Sequence, residues 1–326
     1  VMGTVILGTG SCLPKKVMTN FDLEKIVDTS DEWIRTRTGI ESRRVGGADE
    51  KTYQIASVAA HEALAMSGIR AEEIDLLIVG TISSHMLMPS CACFVQKEVG
   101  AFNAFAYDVN AACSGFLYGL DIGDKHIRAD HDAKVLVIGA ETLSSRLNWQ
   151  DRNTCIVFGD GAGAAVFGYS VEEHREVVGV NYFSDGRLWE LLYMHNSPST
   201  NPELRVEDNP GVHIVMEGRE VFKHAVKAME DAVLGLLEKT GIAIGDIDLV
   251  IPHQANMRIL NKVLERLELP KEKVVLNVMK YGNTSAASIP IALDEANRAD
   301  KLKNGDLVLF CTFGGGFTWG ATLLRW

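Results

Sequence analysis

The sequence predicts an α/β protein built from two similar halves. Strand-like runs alternate with helix-like runs along the chain, which is the pattern of α/β proteins. The run "EEIDLLIVGT" (72–81) recurs as "GDIDLVIPHQ" (245–254), 173 residues later. "AKVLVIGAE" (133–141) corresponds to "GDLVLFCTF" (305–313) at an offset of about 172. A shared offset across successive elements indicates that a whole half was duplicated.

The elements around these runs repeat in the same order. The first ten residues, "VMGTVILGTG", predict a strand. An amphipathic helix is predicted at 53–68 before the first repeated strand and at 219–241 before the second. The stretch "AFAYDVNAACSGFLYGL" (104–120) then corresponds to "KVVLNVMKYGNTSAASIPIAL" (273–293). Each half therefore predicts the same succession of helices and strands.

We expect two domains, an N-terminal half over residues 1–172 and a C-terminal half over residues 173–326. The change falls in a polar, turn-rich region near 170–215. Two such halves packed together predict a layered α/β structure with a pseudo-twofold axis.

Composition excludes several classes of function. The 326 residues carry a net charge of −11, which argues against nucleic acid as the main partner. Total charge does not exclude an acidic partner, because an acidic chain can carry a local basic patch. No apolar run approaches the roughly 20 residues of a membrane-spanning helix. The N-terminal residues predict a strand and not a signal peptide. We therefore expect a cytoplasmic protein that does not enter a membrane.

The cysteines and glycines predict neither a metal site nor a nucleotide cofactor. The six cysteines fit no disulfide framework and no zinc motif, and the pair Cys91 and Cys93 is interpreted as two small buried residues. The runs "GTGSCLP" and "FGDGAGAAVFG" do not complete GxGxxG in the required context.

Cys113 is the first candidate for chemistry. It follows a predicted strand and begins a helix, where unpaired N–H groups and the helix dipole favour a thiolate. Phe116, Leu117 and Leu120 continue its apolar face, so a buried core cysteine is an equally good interpretation.

His253 and Asn283 are weak candidates separately and stronger together with Cys113. His253 follows a predicted strand, and Asn283 lies 170 residues after Cys113, in the corresponding turn. Polar groups beyond the carboxyl ends of strands are where α/β sheets usually hold their sites. A thiolate can attack an acyl group while N–H donors stabilise an enolate or oxyanion.

Three other stretches suggest substrate contacts, each with an ordinary alternative. "TFGGGFTWG" (312–320) allows backbone N–H groups close to a ligand, although a tight hairpin also needs such glycines. Trp33 and Arg37 suit a nucleotide tail, although surface ion pairs commonly explain arginines. A basic cluster on two predicted helices suits an acidic partner and comprises Lys223, Arg258 and Arg266.

The motifs "DTSDEWIRTRTGI", "NAACSGF", "FGDGAGAAV", "PHQAN", "YGNTSAAS" and "FGGGFTWG" closely resemble those of the β-ketoacyl-acyl-carrier-protein synthase III family of the thiolase superfamily. The resemblance runs from Leu7 to Trp326 in the expected order. It implies a duplicated, thiolase-like, five-layered αβαβα fold and a homodimer. It also implies that acyl-CoA is a substrate and that no cofactor is needed.

The resemblance implies a role for each central residue. Cys113 takes an acyl group from acyl-CoA, with acetyl-CoA as the expected primer. His253 and Asn283 promote decarboxylation of malonyl-acyl-carrier protein (malonyl-ACP) and stabilise its enolate. The backbone N–H groups of Cys113 and Gly315 form an oxyanion hole, and Phe313 lines the site. An asparagine at position 283 favours the initiating class over the elongating one.

The resemblance also assigns the substrate contacts. The expected CoA-binding residues are Thr29, Trp33, Arg37, Arg152 and Asn256. The expected ACP-docking residues are Lys223, Gln254, Ala255, Asn256, Met257 and Arg258. Glu265 departs from relatives that are basic there. Met88 takes a position that gates the acyl pocket across the dimer, where an aromatic restricts some relatives to short chains.

Two other functions stay open on the sequence. A polyketide or alkylquinolone condensing enzyme can share Cys113, His253 and Asn283 and accept malonyl-CoA. A Cys-dependent thioesterase or a non-condensing acyl binder predicts no carbon–carbon product.

Overall fold

The computed structural model describes residues 3–171, 175–205 and 211–326. Its strands are β1 Gly3–Cys12, β2 Lys16–Thr19, β3 Ser42–Val45, β4 Leu76–Gly80, β5 Phe105–Val109, β6 Val135–Thr142, β7 Asp160–Ser170, β8 Glu176–Ser184, β9 Leu192–Met194, β10 Ile214–Met216, β11 Leu249–Pro252, β12 Leu307–Gly314 and β13 Thr318–Arg325. Its α-helices are α1 Asn20–Leu23, α2 Asp31–Thr38, α3 Thr52–Ser67, α4 Cys91–Val99, α5 Gly115–Ala129, α6 Arg152–Cys155, α7 Gly218–Thr240, α8 Met257–Arg266, α9 Val278–Tyr281 and α10 Ser288–Arg298.

Two mixed sheets form the body of the molecule. The first has the strand order β1-β7-β6-β4-β5, and the second has the order β11-β12-β13-β8. Two short hairpins, β2-β3 and β9-β10, are added at the periphery. The central strands consist almost wholly of buried apolar residues, as expected for strands covered on both faces.

The helices lie in three layers around these sheets. Helices α3 and α4 cover the outer face of the first sheet, and α7 and α8 cover the outer face of the second. Helices α5 and α10 pack between the sheets, where Phe116, Ile289 and Leu293 belong to one apolar cluster with strands from both. The layers therefore run α, β, α, β, α, as predicted. Among the helices of the described ranges, none is long and apolar enough to cross a bilayer.

The two halves share one register. In the first sheet β4 pairs in parallel with β6, and Leu76 lies opposite Val135. In the second sheet β11 pairs in parallel with β12, and Leu249 lies opposite Val308. Both partners are shifted by the same 173 residues, which is the offset of the sequence repeat.

The second half departs from the first at its fifth strand. The repeat predicts a strand at "LNV" (276–278), matching "YDV" (107–109) in the first half. Instead there is only an isolated parallel bridge nearby, between Val250 and Val274, and Val278 already begins α9. The predicted domain boundary between residues 172 and 173 lies outside the described residues. It falls between the end of β7 and the start of β8, which stands in the second sheet where β1 stands in the first.

Candidate active site

Cys113 lies in a short 3-10 turn, residues 112–114, that leads into α5. The preceding Ala112 has a left-handed backbone, with φ of 46°. Thr312 on β12 donates a hydrogen bond of 3.0 Å to the Cys113 carbonyl oxygen. A Cβ on Gly314 would lie 2.6 Å from the Cys113 nitrogen, so only glycine allows β12 to approach this turn so closely. The predicted strand-to-helix position of the thiol is therefore observed.

Burial controls the state of this thiol. Removal from water is the largest influence and raises the pKa of Cys113 to about 12. The negative charge of Glu141 raises it further, and the Ser285 hydroxyl lowers it. The resting sulfur is therefore a protonated thiol, and its reaction requires that the proton leave.

His253 follows the last residue of β11 and is 1% exposed. Its backbone N–H donates to Cys311 on β12, which holds the residue at the edge of the second sheet. Its Nδ1 lies 2.6 Å from the Ser288 Oγ at the start of α10. Burial lowers the pKa of His253 to about 3, so the imidazole is neutral near pH 7.

Asn283 is held by its backbone and by its amide oxygen. Its backbone N–H donates to Val157, and its backbone oxygen accepts from Gly159. Its Oδ1 accepts a hydrogen bond of 2.8 Å from the Ser285 N–H. Since the oxygen is engaged, Nδ2 is the end of the amide that can donate into the cavity.

These three side chains line one small cavity of about 100 Å³ together with Phe313. Cys113, Phe158 and Leu192 also line a second, inner cavity of about 280 Å³. The inner cavity is largely apolar, and its further lining includes Ile82, Leu143, Met194 and Ile214. The thiol therefore lies where the chamber that holds the imidazole and the amide joins an apolar pocket.

An outer cleft of about 770 Å³ opens on the other side of this chamber. It shares Val157, Met216, Gly218 and Asn256 with the chamber, so cleft, chamber and inner pocket adjoin in sequence. Trp33 and Arg37 lie at the cleft. The Arg152 guanidinium stands 4.9 Å from the centre of the Trp33 ring, and that of Arg37 stands 5.3 Å from it.

The other residues predicted to contact CoA also lie near the outer cleft. Arg152 donates to the Asp28 carbonyl, and the neighbouring Thr29 has a buried hydroxyl with no hydrogen-bond partner among the described residues. Asn256 caps α8 by accepting from the Ile259 N–H. Arg35, by contrast, pairs with Asp31 and Glu41, as the surface interpretation expects.

Two members of the predicted docking set are not available to a partner protein. Gln254 is fully buried, and its amide bonds only to the backbone of Pro252, Val275, Asn277 and Val278. Ala255 is also buried and lines the reaction chamber. These two assignments are wrong, because the turn after β11 faces the interior.

The other docking candidates lie at or near the cleft. Lys223 and Arg258 are exposed at its rim, and Met257 is partly buried against Gly39. Arg266 pairs with Glu230, and Glu265 pairs with Lys262.

Met88 and Gly315 have different surroundings. Gly315 lines the inner pocket with Cys113, and its oxyanion-hole role stays a prediction. Met88 is 84% exposed and lines none of these three cavities.

The structure changes the correspondence between the halves. Ala112 and Ser285, which are 173 residues apart, both have left-handed backbones and begin matching 3-10 turns. The structural counterpart of Cys113 is thus Ala286, and that of Asn283 is Asn110. The predicted offset of 170 between Cys113 and Asn283 is off by three residues, although both lie in the corresponding turn.

Three polar residues of the site were not predicted. Ser285 and Ser288 lie in "YGNTSAAS", where their hydroxyls looked like ordinary turn polarity, and Glu141 ends a strand of the repeat. An acidic residue after an unbroken apolar strand is a usable signal, because buried carboxylates need dedicated partners.

The fold and the cavity with its thiol, imidazole and amide define an acyltransferase of the thiolase-fold condensing enzymes. Family models described as 3-oxoacyl-[acyl-carrier-protein] synthase III match residues 107–186, and those of its C-terminal part match residues 237–326. The chain belongs to the β-ketoacyl-[acyl-carrier-protein] synthase III family, and the predicted fold class is confirmed.

Individual relatives cover the whole chain. The β-ketoacyl-[acyl-carrier-protein] synthase III of Desulfotalea psychrophila is 59% identical over 325 residues, covering 100% of both chains. The crystal structure of 3-oxoacyl-[acyl-carrier-protein] synthase III from Aquifex aeolicus is 51% identical, covers 99% of this chain and 100% of its own, and has a TM-score of 0.93. The crystal structure of the priming β-ketosynthase from the R1128 polyketide pathway is 34% identical and has a TM-score of 0.90. The match covers 98% of this chain and 96% of that one.

Proposed function

We propose that this chain performs the first condensation of type II fatty-acid synthesis with Cys113, His253 and Asn283 as its catalytic residues. An acyl group passes from acyl-CoA to Cys113, and the acyl enzyme then condenses with malonyl-ACP. The products are 3-ketoacyl-ACP, CoA and CO₂. One observation carries the assignment of residues: the thiol, imidazole and amide line one chamber between an apolar pocket and an open cleft.

The acyl-CoA would enter by the outer cleft. An adenine ring inserted between Trp33 and Arg152 would replace their present cation–π contact with stacking on both faces. Arg37, Thr29 and Asn256 stand near the path of the rest of the CoA. The acyl chain would fill the inner pocket. The proposed reaction needs no cofactor or metal.

In acyl transfer, the Cys113 sulfur attacks the thioester carbonyl and CoA leaves. The N–H groups of Cys113 and Gly315 are proposed to bind the oxyanion. The helix dipole of α5, which begins at Gly115, favours negative charge at the sulfur during attack.

In condensation, loss of CO₂ from malonyl-ACP leaves an enolate whose oxygen needs neutral donors. Asn283 Nδ2 supplies one donor, and His253 Nε2 supplies the second when its other nitrogen is unprotonated. The enolate carbon attacks the acyl thioester, and the Cys113 sulfur leaves.

We further propose that the enzyme is a cytoplasmic homodimer. Its six cysteines are all unpaired, which suits a reducing compartment. Met86, Leu87 and Met88 form an exposed apolar loop tip, which would insert Met88 into the partner's acyl pocket. Lys223, Asn256, Met257 and Arg258 would contact the acidic carrier protein beside the cleft. Leu87→Glu should shift the sedimentation coefficient towards that of a monomer, whereas Leu204→Glu on another exposed loop should not.

The catalytic assignment is tested with radiolabelled acetyl-CoA. Label should appear on Cys113 and be lost in Cys113→Ala, while the matched variant Cys12→Ala keeps it. Label on Cys91 or Cys155 would contradict the assignment. His253→Ala and Asn283→Ala should retain acyl transfer and lose condensation.

The choice of extender separates the alternatives. Malonyl-ACP as the efficient extender supports the fatty-acid role, and a preference for malonyl-CoA supports a polyketide or alkylquinolone condensing enzyme. Release of free acid without a carbon–carbon product would indicate a thioesterase.

A further inference from the structure

Glu141 is a buried carboxyl group beside the nucleophile. It is fully buried at the end of β6, and among the described ion pairs none includes it. Its Oε2 accepts hydrogen bonds from the Thr81 and Ser83 hydroxyls. A buried carboxyl group without a cation is costly to maintain, so its presence needs a reason.

The direction of the Glu141 side chain follows from its strand. Residues two apart on a strand point to the same side. A Cβ on Gly139 would lie 2.0 Å from the Ala286 backbone oxygen, so this side of β6 faces the 285–287 turn. Glu141 therefore points to the turn that carries Ser285, and Ser285 lines the inner pocket with Cys113.

Ser285 belongs to the turn that Glu141 faces, and it lines the inner pocket with Cys113. It is buried and makes no regular hydrogen bond with any described residue. This position puts the hydroxyl near both groups, and it lowers the pKa of Cys113 and of Glu141. A hydroxyl both donates and accepts, so it can pass a proton from one neighbour to the other.

The hydrogen bonds also select the oxygen that would take a proton. The Ser83 Oγ accepts from the Thr142 N–H, so its own proton goes to Glu141 Oε2. Oε2 is thereby occupied by donors. Oε1 receives only the long contact from the Ile82 N–H among the described residues.

We propose that Glu141 receives the Cys113 thiol proton through the Ser285 hydroxyl during acyl transfer and returns it during condensation. In the first step the S–H bond breaks, Ser285 takes that proton and passes its own to Oε1, and the sulfur bonds to the acyl carbon. CoA leaves as a thiolate and takes a proton from water. In the second step the enolate displaces the Cys113 thiolate, which takes the stored proton back from Glu141.

The proton balance of the whole cycle is consistent with this sequence. Acyl-CoA, malonyl-ACP carboxylate and one proton from water give CoA, CO₂ and 3-ketoacyl-ACP, and the enzyme returns to thiol and carboxylate. Burial raises the pKa of Glu141 to about 7, against about 12 for Cys113. The resting proton therefore stays on sulfur and moves only as the sulfur–carbon bond forms.

The groups facing Glu141 are limited. Cys113 and Cys91, at the start of α4, are its titratable neighbours. Asp160 on β7 is turned towards Ser144 and Gly46. The groups that β4 and its following loop turn towards Glu141 are apolar groups, hydroxyls and a backbone amide. Thr52 on α3 bonds to the Ser83 carbonyl and to the Thr142 hydroxyl, next to these groups. A pH dependence of Cys113 acylation near pH 7 is thus attributable to Glu141.

The test measures the rate of Cys113 acylation by acetyl-CoA as a function of pH in rapid-quench experiments on the intact enzyme. The unaltered rate should rise with pH and level off above an apparent pKa near 7. Glu141→Gln, which keeps an oxygen for Thr81 and Ser83, should lower the rate at pH 7.5 by at least tenfold and abolish the plateau. Ser285→Ala should do the same and serves if Glu141→Gln does not fold. Glu98→Gln, which changes an exposed carboxyl group on α4, should retain the plateau.

The rate of Cys113 alkylation by iodoacetamide as a function of pH gives a second profile that needs no substrate. It should also lose its plateau in Glu141→Gln and Ser285→Ala. An unchanged profile in Glu141→Gln and Ser285→Ala would overturn the inference, as would loss of the plateau in Glu98→Gln. The inference rests on the proposed function, and the two fail differently. Absence of label on Cys113 in the unaltered enzyme would refute the function itself.

Discussion

The His253 Nδ1 and the Ser288 Oγ are 2.6 Å apart, and the same Oγ lies 2.7 Å from the Ser285 carbonyl oxygen. A serine hydroxyl has one proton and can give it to only one of these acceptors. If the carbonyl receives it, Nδ1 carries the imidazole proton and Nε2 is an acceptor. If Nδ1 receives it, Nε2 carries the proton and can donate to an enolate oxygen. Ser288 therefore controls the tautomer on which the proposed role of His253 depends.

Ser288→Ala should lower the rate of condensation by about tenfold and leave acyl transfer to Cys113 unchanged, since loss of one catalytic hydrogen bond typically costs 1–2 kcal/mol. Separate assays of acetyl-CoA labelling and of malonyl-ACP condensation check this. Ser144→Ala, a buried-hydroxyl control whose partner is Asp160, should leave the ratio of the two rates unaltered. An equal fall in both steps would contradict the tautomer argument.

Trp33→Ala should raise the KM for acetyl-CoA about tenfold with little change in kcat, because stacking of a base on an aromatic ring contributes roughly 1–3 kcal/mol. Trp33→Phe keeps an aromatic face and should recover most of the loss. Steady-state kinetics with varied acetyl-CoA measure both. A fall in kcat at unchanged KM would indicate that Trp33 does not bind the CoA tail.

Met194 lines the inner pocket and is only partly buried there. Met194→Phe should shift the primer preference to shorter acyl groups, because a rigid ring replaces a flexible thioether. Met194→Ala should shift it to longer ones. Initial rates with acyl-CoA substrates of increasing length and branching measure the shift. Identical preferences in both variants would mean that the acyl chain does not lie in this pocket.

Glu141 also predicts a pH dependence of stability. Burial raises its pKa from 4.5 to about 7, so the folded protein binds this proton more tightly than the unfolded chain does. The contribution of this proton to the free energy of unfolding is fully present below pH 4.5. It falls by about 3 kcal/mol as the pH rises towards 7. Relative to the unaltered protein, Glu141→Gln should therefore gain stability between pH 5 and pH 8. Urea unfolding at both pH values measures this.

The exposed Glu98→Gln on α4 is the matched control and should show no such gain. A parallel pH dependence in Glu141→Gln and the unaltered protein would show that Glu141 titrates normally.

The layered fold could be predicted because its signals are local and repeated. The offset of 173 between the repeated strands reappears in the pairing of Leu76 with Val135 and of Leu249 with Val308. The missing fifth strand of the second sheet could not be predicted, since "LNV" has the apolar character of a strand. The backbone just before it joins β11 at one bridge only.

The burial of Gln254 and Ala255 was also beyond prediction. The family resemblance assigns Gln254 to a docking surface, and no local pattern along the chain indicates that its amide is buried. Here the Gln254 amide takes the place of regular strand hydrogen bonds. It bonds to the backbone of Pro252 at the end of β11 and to the backbone of residues 275–278. Such internal use of an amide depends on packing between elements that are distant in the chain.

The sequence by itself determined the fold class, the order of the repeated elements and the three residues proposed for chemistry, since strand patterns, glycines and family motifs are written along the chain. Tertiary structure decided which polar groups surround Cys113. Ser285 and Ser288 lie at the start of α10 and Glu141 lies on β6, and these two parts of the chain meet only where the sheets and their central helices close together. Their protonation states depend on burial and on partners, and neither quantity exists until the chain has folded.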